Sequence, residues 1–116
     1  MSDKNCLRDK LQDYISMTED TRNKQLTKDQ QIVYCCLGLA GEAGEVIDHV
    51  KKHEFHGHDL DMEEVKNELG DVFWCFTVLR ETLGFSLEEI MDANIQKLRA
   101  RYPDGFSCEA SRNRVV

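Results

Sequence analysis

The sequence predicts an all-α fold from three features. Proline occurs once, at position 103, and β-branched residues form few runs, so little in the chain breaks helices or favours strands. Apolar residues recur at helical spacing through most of the 116 residues. Helix-capping sequences separate these periodic segments. Together these features predict four helices that pack their apolar faces together.

The first two helices are predicted over residues 3–18 and from about residue 28 to 55. In the first, apolar residues alternate with charged ones at a spacing of three and four. The second begins at a capping box, in which Thr27 is the N-cap and Gln30 stands at the third helical position. Gly57 is suited to end it, because glycine readily adopts the left-handed conformation that closes helices.

The third and fourth helices have similar start and stop signals. Asp61 is a suitable N-cap for the third, and Gly84 ends it. A second capping box, Ser86 with Glu89, opens the fourth, which is predicted to run to Tyr102 before the proline. The third helix has the widest apolar stripe, so we expect it to be the most buried.

Composition indicates one soluble domain over residues 1–107 and a polar, irregular tail over 108–116. The net charge of −7 argues against binding to the backbone of nucleic acids, which requires a basic surface. The longest apolar stretch, residues 32–40, is too short to span a bilayer. We therefore expect neither nucleic-acid nor membrane partners.

The five cysteines predict free thiols in a reducing compartment, the cytoplasm. Their number is odd, and no CxxC motif is present. The neighbours Cys35 and Cys36, together with Cys75, lie in apolar helical stretches. We expect these three to be buried.

Two pairs of carboxylates predict a magnesium site between helices. Glu42 and Glu45 are three residues apart on the second helix, and Glu68 and Asp71 are three apart on the third. Residues at this spacing share a helix face. A single such pair is commonly a solvated surface, but four carboxylates at a helix interface need a cation, and Mg²⁺ prefers oxygen ligands. Glycines flank the acids and indicate close backbone approach or room for a ligand: Gly38, Gly41, Gly44 and Gly70.

The fourth helix offers a row of phosphate-binding candidates. Asn94 falls on its apolar stripe, with Lys97 and Arg101 on the same face. The two cations are equally explained as surface residues near a helix C-terminus. On the second helix, Lys51 or Lys52 could reach a phosphate. Both are equally explained as ordinary surface residues.

Two other patterns have both a structural and a functional reading. Glu45, His49 and His53 recur every four residues and could hold a transition metal, although solvent-facing histidines are the commoner explanation. Three aromatic residues of the third helix could stack on a base: Phe73, Phe76 and Trp74. Helical spacing favours a core position for Phe73 and Phe76.

Three blocks, at residues 38–46, 68–74 and 94–106, resemble the MazG-type nucleoside triphosphate pyrophosphohydrolases. The family motif is ExxE, a variable spacer and ExxD, and 22 residues separate Glu45 from Glu68. The likeness extends over about residues 27–107, and it is weaker over 18–26, where specificity could lie. Cys75 departs from the tyrosine of many relatives.

The resemblance implies a four-helix MazG-like bundle completed by association into a dimer or a dimer of dimers. The Mg²⁺ ligands would be the four acids Glu42, Glu45, Glu68 and Asp71. Mn²⁺ could substitute for Mg²⁺. The substrate phosphates would lie near Asn94, Lys97 and Arg101, and Tyr102 would orient that end of the helix.

The implied reaction is Mg²⁺-dependent hydrolysis of a nucleoside or deoxynucleoside triphosphate to the monophosphate and pyrophosphate. Such an enzyme would clear nucleotide pools of unwanted species. Two alternatives remain open. One is a non-catalytic helical module that uses its acids to bind metal or a basic partner. The other keeps the fold but acts on nucleoside diphosphates or phosphoribosyl-ATP.

Overall fold

The computed structural model describes residues 3–114 of the chain and the side chains of residues 6–114. This part of the chain is all-α and contains no β-strand. None of its helices is long and apolar enough to cross a membrane. The helices, in chain order, are α1 (Asp3–Thr21), α2 (Lys28–His56), α3 (Met62–Leu83), α4 (Leu87–Arg101) and α5 (Cys108–Arg112).

The predicted helix starts are confirmed. The hydroxyl of Thr27 accepts a hydrogen bond from the amide of Gln30 at 3.2 Å, and the Gln30 side chain accepts one from the amide of Thr27 at 3.0 Å. Ser86 and Glu89 form the same reciprocal pair at the start of α4. Gly57 closes α2 in the left-handed conformation, with φ of 72°.

Two predicted boundaries were wrong. α1 continues three residues beyond the predicted end because Thr18 does not break it: its hydroxyl donates to the carbonyl of Ile15 at 2.7 Å, within the helix. The tail is not irregular throughout, since α5 forms there. Its N-cap is Ser107, whose hydroxyl accepts from the amide of Ala110 at 3.0 Å.

The helices form two compact units. The first, ending at Leu83, contains α1, α2 and α3; the second, beginning at Gly84, contains α4 and α5. In the first unit α2 and α3 run antiparallel, and α1 packs on α3. The indole of Trp74 donates to the hydroxyl of Thr21 at 2.9 Å and links α3 to the end of α1.

α2 approaches α3 closely at Gly38. A Cβ atom there would lie 2.7 Å from the sulfur of Cys75, so a larger residue would force the Cys75 side chain to shift. Gly41, Gly44 and Gly70 have no atom within 4 Å of such a Cβ. The expectation of close approach therefore holds at Gly38, and open space surrounds the other three.

α3 has more buried residues than the other helices of the described chain, as predicted, but its buried face is not the predicted stripe. The buried residues are Cys75, Thr77, Val78 and Arg80. Leu69 and Phe73 are 53% and 41% exposed, so the prediction that Phe73 lies in the core was wrong. The Phe73 ring instead packs between the rings of Tyr14 and Phe76, at centroid distances of 5.2 and 6.0 Å. The stripe is wider than the surface that α1 and α2 cover.

The cysteines of the described chain are all free thiols, as predicted. Cys35 and Cys75 are buried between α2 and α3, but Cys36 is exposed, against prediction. One step along a helix turns a side chain by about 100°, so two neighbouring cysteines cannot share one buried face.

Candidate functional site

Three of the four predicted carboxylates meet where α2 packs against α3. One oxygen from each of Glu42, Glu68 and Asp71 lies within 4.8 Å of the other two. The spacing of three residues places Glu68 and Asp71 on one face of α3, and the antiparallel packing sets Glu42 opposite them. The first two side chains are half-buried, and Asp71 is exposed. We call these three residues the carboxylate cluster.

The cluster disfavours a negative charge on Glu42. The pKa of Glu42 is raised by partial burial, and further by the nearby charges of Asp71 and Glu68. A cation bound between the oxygens would remove this repulsion. The donor set contains only carboxylate oxygens, which suit a hard divalent cation such as Mg²⁺ or Mn²⁺.

Glu45 lies beside the cluster but is not one of the three residues whose oxygens converge. Its side chain is exposed. Its charge contributes to the raised pKa of Glu42 and of Lys52, so it is electrostatically close to both. The structure thus separates Glu45 from the three other acids of the predicted set.

His49 takes a position that the sequence did not indicate. Its Nδ1 lies 3.6 Å from a carboxylate oxygen of Glu64, and its Nε2 lies 3.7 Å from one of Glu68. These contacts become ion pairs when the imidazole is protonated. His53 faces elsewhere, with its Nδ1 2.8 Å from the carbonyl oxygen of His58. In the described chain the histidine row therefore does not converge as a metal site; the three-carboxylate group contains no histidine.

Tyr14 of α1 is a second neighbour of the cluster that sequence reasoning missed. Burial raises the pKa of its hydroxyl, and the charge of Asp71 raises it further. The sequence marked Tyr14 only as an apolar position of the first helix. Its place beside Asp71 follows from the packing of α1 on α3, which no local pattern encodes.

The two lysines of α2 are held by a carboxylate of their own helix. Lys51 lies 3.3 Å and Lys52 2.8 Å from the oxygens of Asp48. These ion pairs raise the pKa of Lys52 and lower that of Asp48. A phosphate would have to compete with Asp48 for Lys51.

The predicted phosphate row lies in the second unit. Asn94 and Lys97 are exposed, which corrects the expectation that Asn94 lies on a buried stripe. Both line a groove of about 530 Å³ on α4. Arg101 is half-buried, and its Nε is shielded from solvent without a hydrogen-bond partner among the described residues. Tyr102 ends α4, its amide donating to the carbonyl of Leu98 at 2.8 Å.

Comparison with known proteins gives two matches. The sequence model of the MazG nucleotide pyrophosphohydrolase domain matches residues 30–106. A protein of Mycobacterium phage L5, named Gene 37 protein, is 33% identical over 85 residues, which cover 70% of this chain and 75% of the phage protein. No solved structure matches the chain.

We expect Glu42→Gln to stabilise the metal-free protein. The substitution removes one of three mutually repelling charges, and a gain of about 2 °C in Tm is expected in chelator at neutral pH. Because folding raises the pKa of Glu42, the charged carboxylate lowers the stability of the wild type at pH values above that pKa. The gain should therefore disappear as the pH falls and the wild-type carboxyl becomes protonated.

Thermal melts from pH 4 to pH 8 measure this difference. Glu63→Gln is the matched control, because Glu63 lies on α3 outside the cluster and pairs with Lys66. A lower Tm for Glu42→Gln at neutral pH would contradict the electrostatic account.

Proposed function

The chain belongs to the MazG nucleotide pyrophosphohydrolase family, and from this premise we propose that it hydrolyses nucleoside or deoxynucleoside triphosphates to the monophosphate and pyrophosphate. The convergence of Glu42, Glu68 and Asp71 is the observation that carries the proposal. The family match, over residues 30–106, includes both the carboxylates and the phosphate row of α4. In this proposal the enzyme clears unwanted nucleotides from the pool.

The carboxylate cluster would hold the divalent cation, Mg²⁺ or in its place Mn²⁺, with Glu45 as the remaining candidate ligand. When bound, such a cation supplies positive charge for the phosphates and increases the acidity of a water molecule. The three converging carboxylates would hold that charge between α2 and α3. The absence of atoms near a Cβ at Gly41, Gly44 and Gly70 leaves space for phosphates beside them.

Glu45 has two candidate roles, as a further metal ligand or as the proton acceptor, and we propose the second in preference to Glu42. It is exposed and lies near Glu42, outside the three converging carboxylates. In the proposed step, the water oxygen bonds to the α-phosphorus and its proton passes to the Glu45 carboxylate. The bond from that phosphorus to the oxygen of pyrophosphate breaks, and pyrophosphate leaves.

The row on α4 is proposed to bind the phosphates. Asn94, Lys97 and Arg101 provide an amide, an ammonium and a planar guanidinium, all of which donate hydrogen bonds to phosphate oxygens. Tyr102 would fix the orientation of the helix end that carries Arg101.

We further propose that the enzyme is a homo-oligomer, a dimer or a dimer of dimers. Among the described residues the buried hydrophobic side chains are few: Cys35, Cys75 and Val78. Large apolar side chains lie exposed on the first unit, among them Val33 (58%), Tyr34 (54%), Leu37 (70%), Ile47 (66%) and Leu69 (53%). Exposed apolar surface on this scale is typical of an interface.

The state of the cysteines supports a reducing compartment. The five thiols of the described chain are unpaired, and none has formed a disulfide. We propose the cytoplasm, where thiols remain reduced.

The double substitution Glu68→Gln with Asp71→Asn is expected to abolish turnover. It removes two of the three carboxylate charges, and pyrophosphate release should fall by roughly 10²–10³-fold or more. Circular dichroism should show unchanged helix content. The matched control is Glu63→Gln on the same helix, which should retain activity. Full pyrophosphate release by the double variant would show that the metal site is misassigned.

Substitution of the row on α4 is expected to weaken productive substrate binding. Lys97→Gln and Arg101→Gln should each reduce kcat/KM by roughly ten- to a hundredfold, because each removes a charge-assisted hydrogen bond. Arg99→Gln serves as the control, since Arg99 is an exposed cation on the same helix but off the row. Steady-state kinetics with a responsive triphosphate measures the effect, and equal losses in all three variants would refute a specific role for the row.

The mass in solution tests the oligomer. Light scattering should give a multiple of the 13.4 kDa chain mass. Val33→Glu together with Leu37→Glu should reduce it toward the monomer, because charges would replace apolar groups on one face of α2. Glu54→Lys changes an exposed polar residue of the same helix and should leave the mass unchanged. A monomeric wild type would contradict the proposal.

A further inference from the structure

His49 extends the facing surfaces of α2 and α3 beyond the carboxylate cluster. It follows Glu42 by seven residues, which is two turns and about 10 Å along α2, so the two side chains share a face. On α3, Glu64 precedes Glu68 by four residues and shares its face. Because the helices run antiparallel, later residues of α2 meet earlier residues of α3. The cluster therefore continues into a second group, in which an imidazole meets two carboxylates.

The imidazole of His49 lies between these two carboxylates. Its Nε2 is 3.7 Å from Oε1 of Glu68, and its Nδ1 is 3.6 Å from Oε2 of Glu64. Both separations are within the range of an ion pair, about 4 Å or less. The side chains of His49 and Glu68 are 27% and 23% exposed, whereas that of Glu64 is 59% exposed. The contact with the cluster is thus partly shielded from water, and the contact with Glu64 is open to it.

This geometry suits a residue that orients a metal ligand, and not a ligand itself. The two ring nitrogens face different carboxylates of α3, so the ring spans them. A ligand nitrogen would have to converge with the carboxylate oxygens, and the three residues whose ligand atoms converge do not include His49. In metal sites, the carboxylates that bind the ion are themselves held by hydrogen bonds from neighbouring groups. His49 is placed to hold Glu68 in this way.

A partner matters for Glu68 because its side chain is long and flexible. Glutamate loses more side-chain conformational entropy on ordering than small residues do. A contact that holds the side chain before the cation arrives reduces the entropy lost on binding. A carboxylate has two oxygens with about four lone-pair sites, so Glu68 can accept a hydrogen bond from Nε2 and still coordinate a cation.

Glu64 holds the other side of the ring. It stands in the first turn of α3, where a carboxylate oxygen of Asp61 accepts hydrogen bonds from the amides of Glu63 and Glu64, at 3.0 and 3.3 Å. These bonds fix the backbone that carries Glu64. Its carboxylate, beside Nδ1, therefore restrains the rotation of the His49 ring.

We propose that His49 is a positioning residue of the cation site, and that it holds Glu68 in the orientation that binds the ion. The imidazole would donate from Nε2 to Glu68 and would touch neither the cation nor the substrate. The proposal rests on the proposed function only in requiring that the carboxylate cluster binds a divalent cation. It adds to the site a residue outside the two acidic pairs.

Binding of Mn²⁺ to the full chain, followed by electron paramagnetic resonance without nucleotide, measures this role apart from catalysis. His49→Leu provides no N–H and should bind Mn²⁺ roughly 10–100-fold more weakly than the wild type. His49→Gln restores a donor near the position of Nε2, and its affinity should return toward that of the wild type. His53→Leu is the matched control, because His53 lies one turn further along α2 and contacts the carbonyl of His58 instead.

A double-mutant cycle shows whether His49 acts through Glu68. In a Glu68→Gln background, His49→Leu should cause little further loss of Mn²⁺ affinity, because the ligand that His49 holds is already gone. Equal losses in both backgrounds would overturn the proposal. Circular dichroism checks the helix content of each variant. If His49→Leu does not fold, His49→Gln is compared with His49→Asn, whose shorter amide does not reach the position of Nε2; equal Mn²⁺ affinities of these two variants would also overturn the proposal.

Spin-echo spectroscopy of the bound Mn²⁺ separates a positioning residue from a ligand. The wild type should show no nitrogen bonded directly to the ion. A bonded nitrogen that disappears in His49→Leu would make His49 a ligand and would overturn the proposal. Unchanged Mn²⁺ affinity in His49→Leu would overturn it as well.

The outcomes for His49 and for the proposed reaction are distinguishable. Pyrophosphate release by the wild type, with equal Mn²⁺ affinities in the wild type and His49→Leu, would refute only the role of His49. Mn²⁺ binding that depends on His49, in a protein that hydrolyses no triphosphate, would refute only the proposed reaction. No saturable Mn²⁺ binding by the wild type would refute the cation site and with it the role of His49.

Discussion

The close packing of α2 on α3 is the constraint on which the rest of this structure depends, because it holds carboxylates of like charge together. α2 approaches α3 so closely at Gly38 that a Cβ there would lie 2.7 Å from the sulfur of Cys75. One turn further along α2, Glu42 is thereby set against Glu68 and Asp71. Charges of one sign at this separation destabilise the folded state unless a cation or a proton lies between them. The apolar contacts around Cys35, Cys75 and Val78 maintain the packing against that repulsion.

Local signals in the sequence were sufficient for the existence of α1 to α4 and for the core of the site, but not for α5. Capping boxes at Thr27 and Ser86 predicted where α2 and α4 begin, because a cap involves only residues three apart. The ExxD spacing predicted that Glu68 and Asp71 share a face. That Glu42 faces them was predicted from the two acidic pairs and their flanking glycines, and the resemblance to a family supported it, since no local rule alone determines how two helices are rotated against each other.

What the sequence could not indicate depends on tertiary contacts. Tyr14 comes near Asp71 only because α1 packs on α3, and His49 comes near Glu64 and Glu68 only through the antiparallel pairing. Periodicity identified the apolar stripe of α3 but not what would cover it. Phe73 and Leu69 remain exposed in the single chain, and in the proposed oligomer another copy would cover them.

The measurement that tests the central claim most directly is the release of pyrophosphate from a panel of ribo- and deoxyribonucleoside triphosphates, with Mg²⁺ and with chelator. The account predicts pyrophosphate and monophosphate in equal amounts from some members of the panel, in Mg²⁺ only. Orthophosphate as the sole product would contradict the proposed bond cleavage. No product from any triphosphate, by protein of full helix content, would contradict the assignment of an enzyme active on triphosphates.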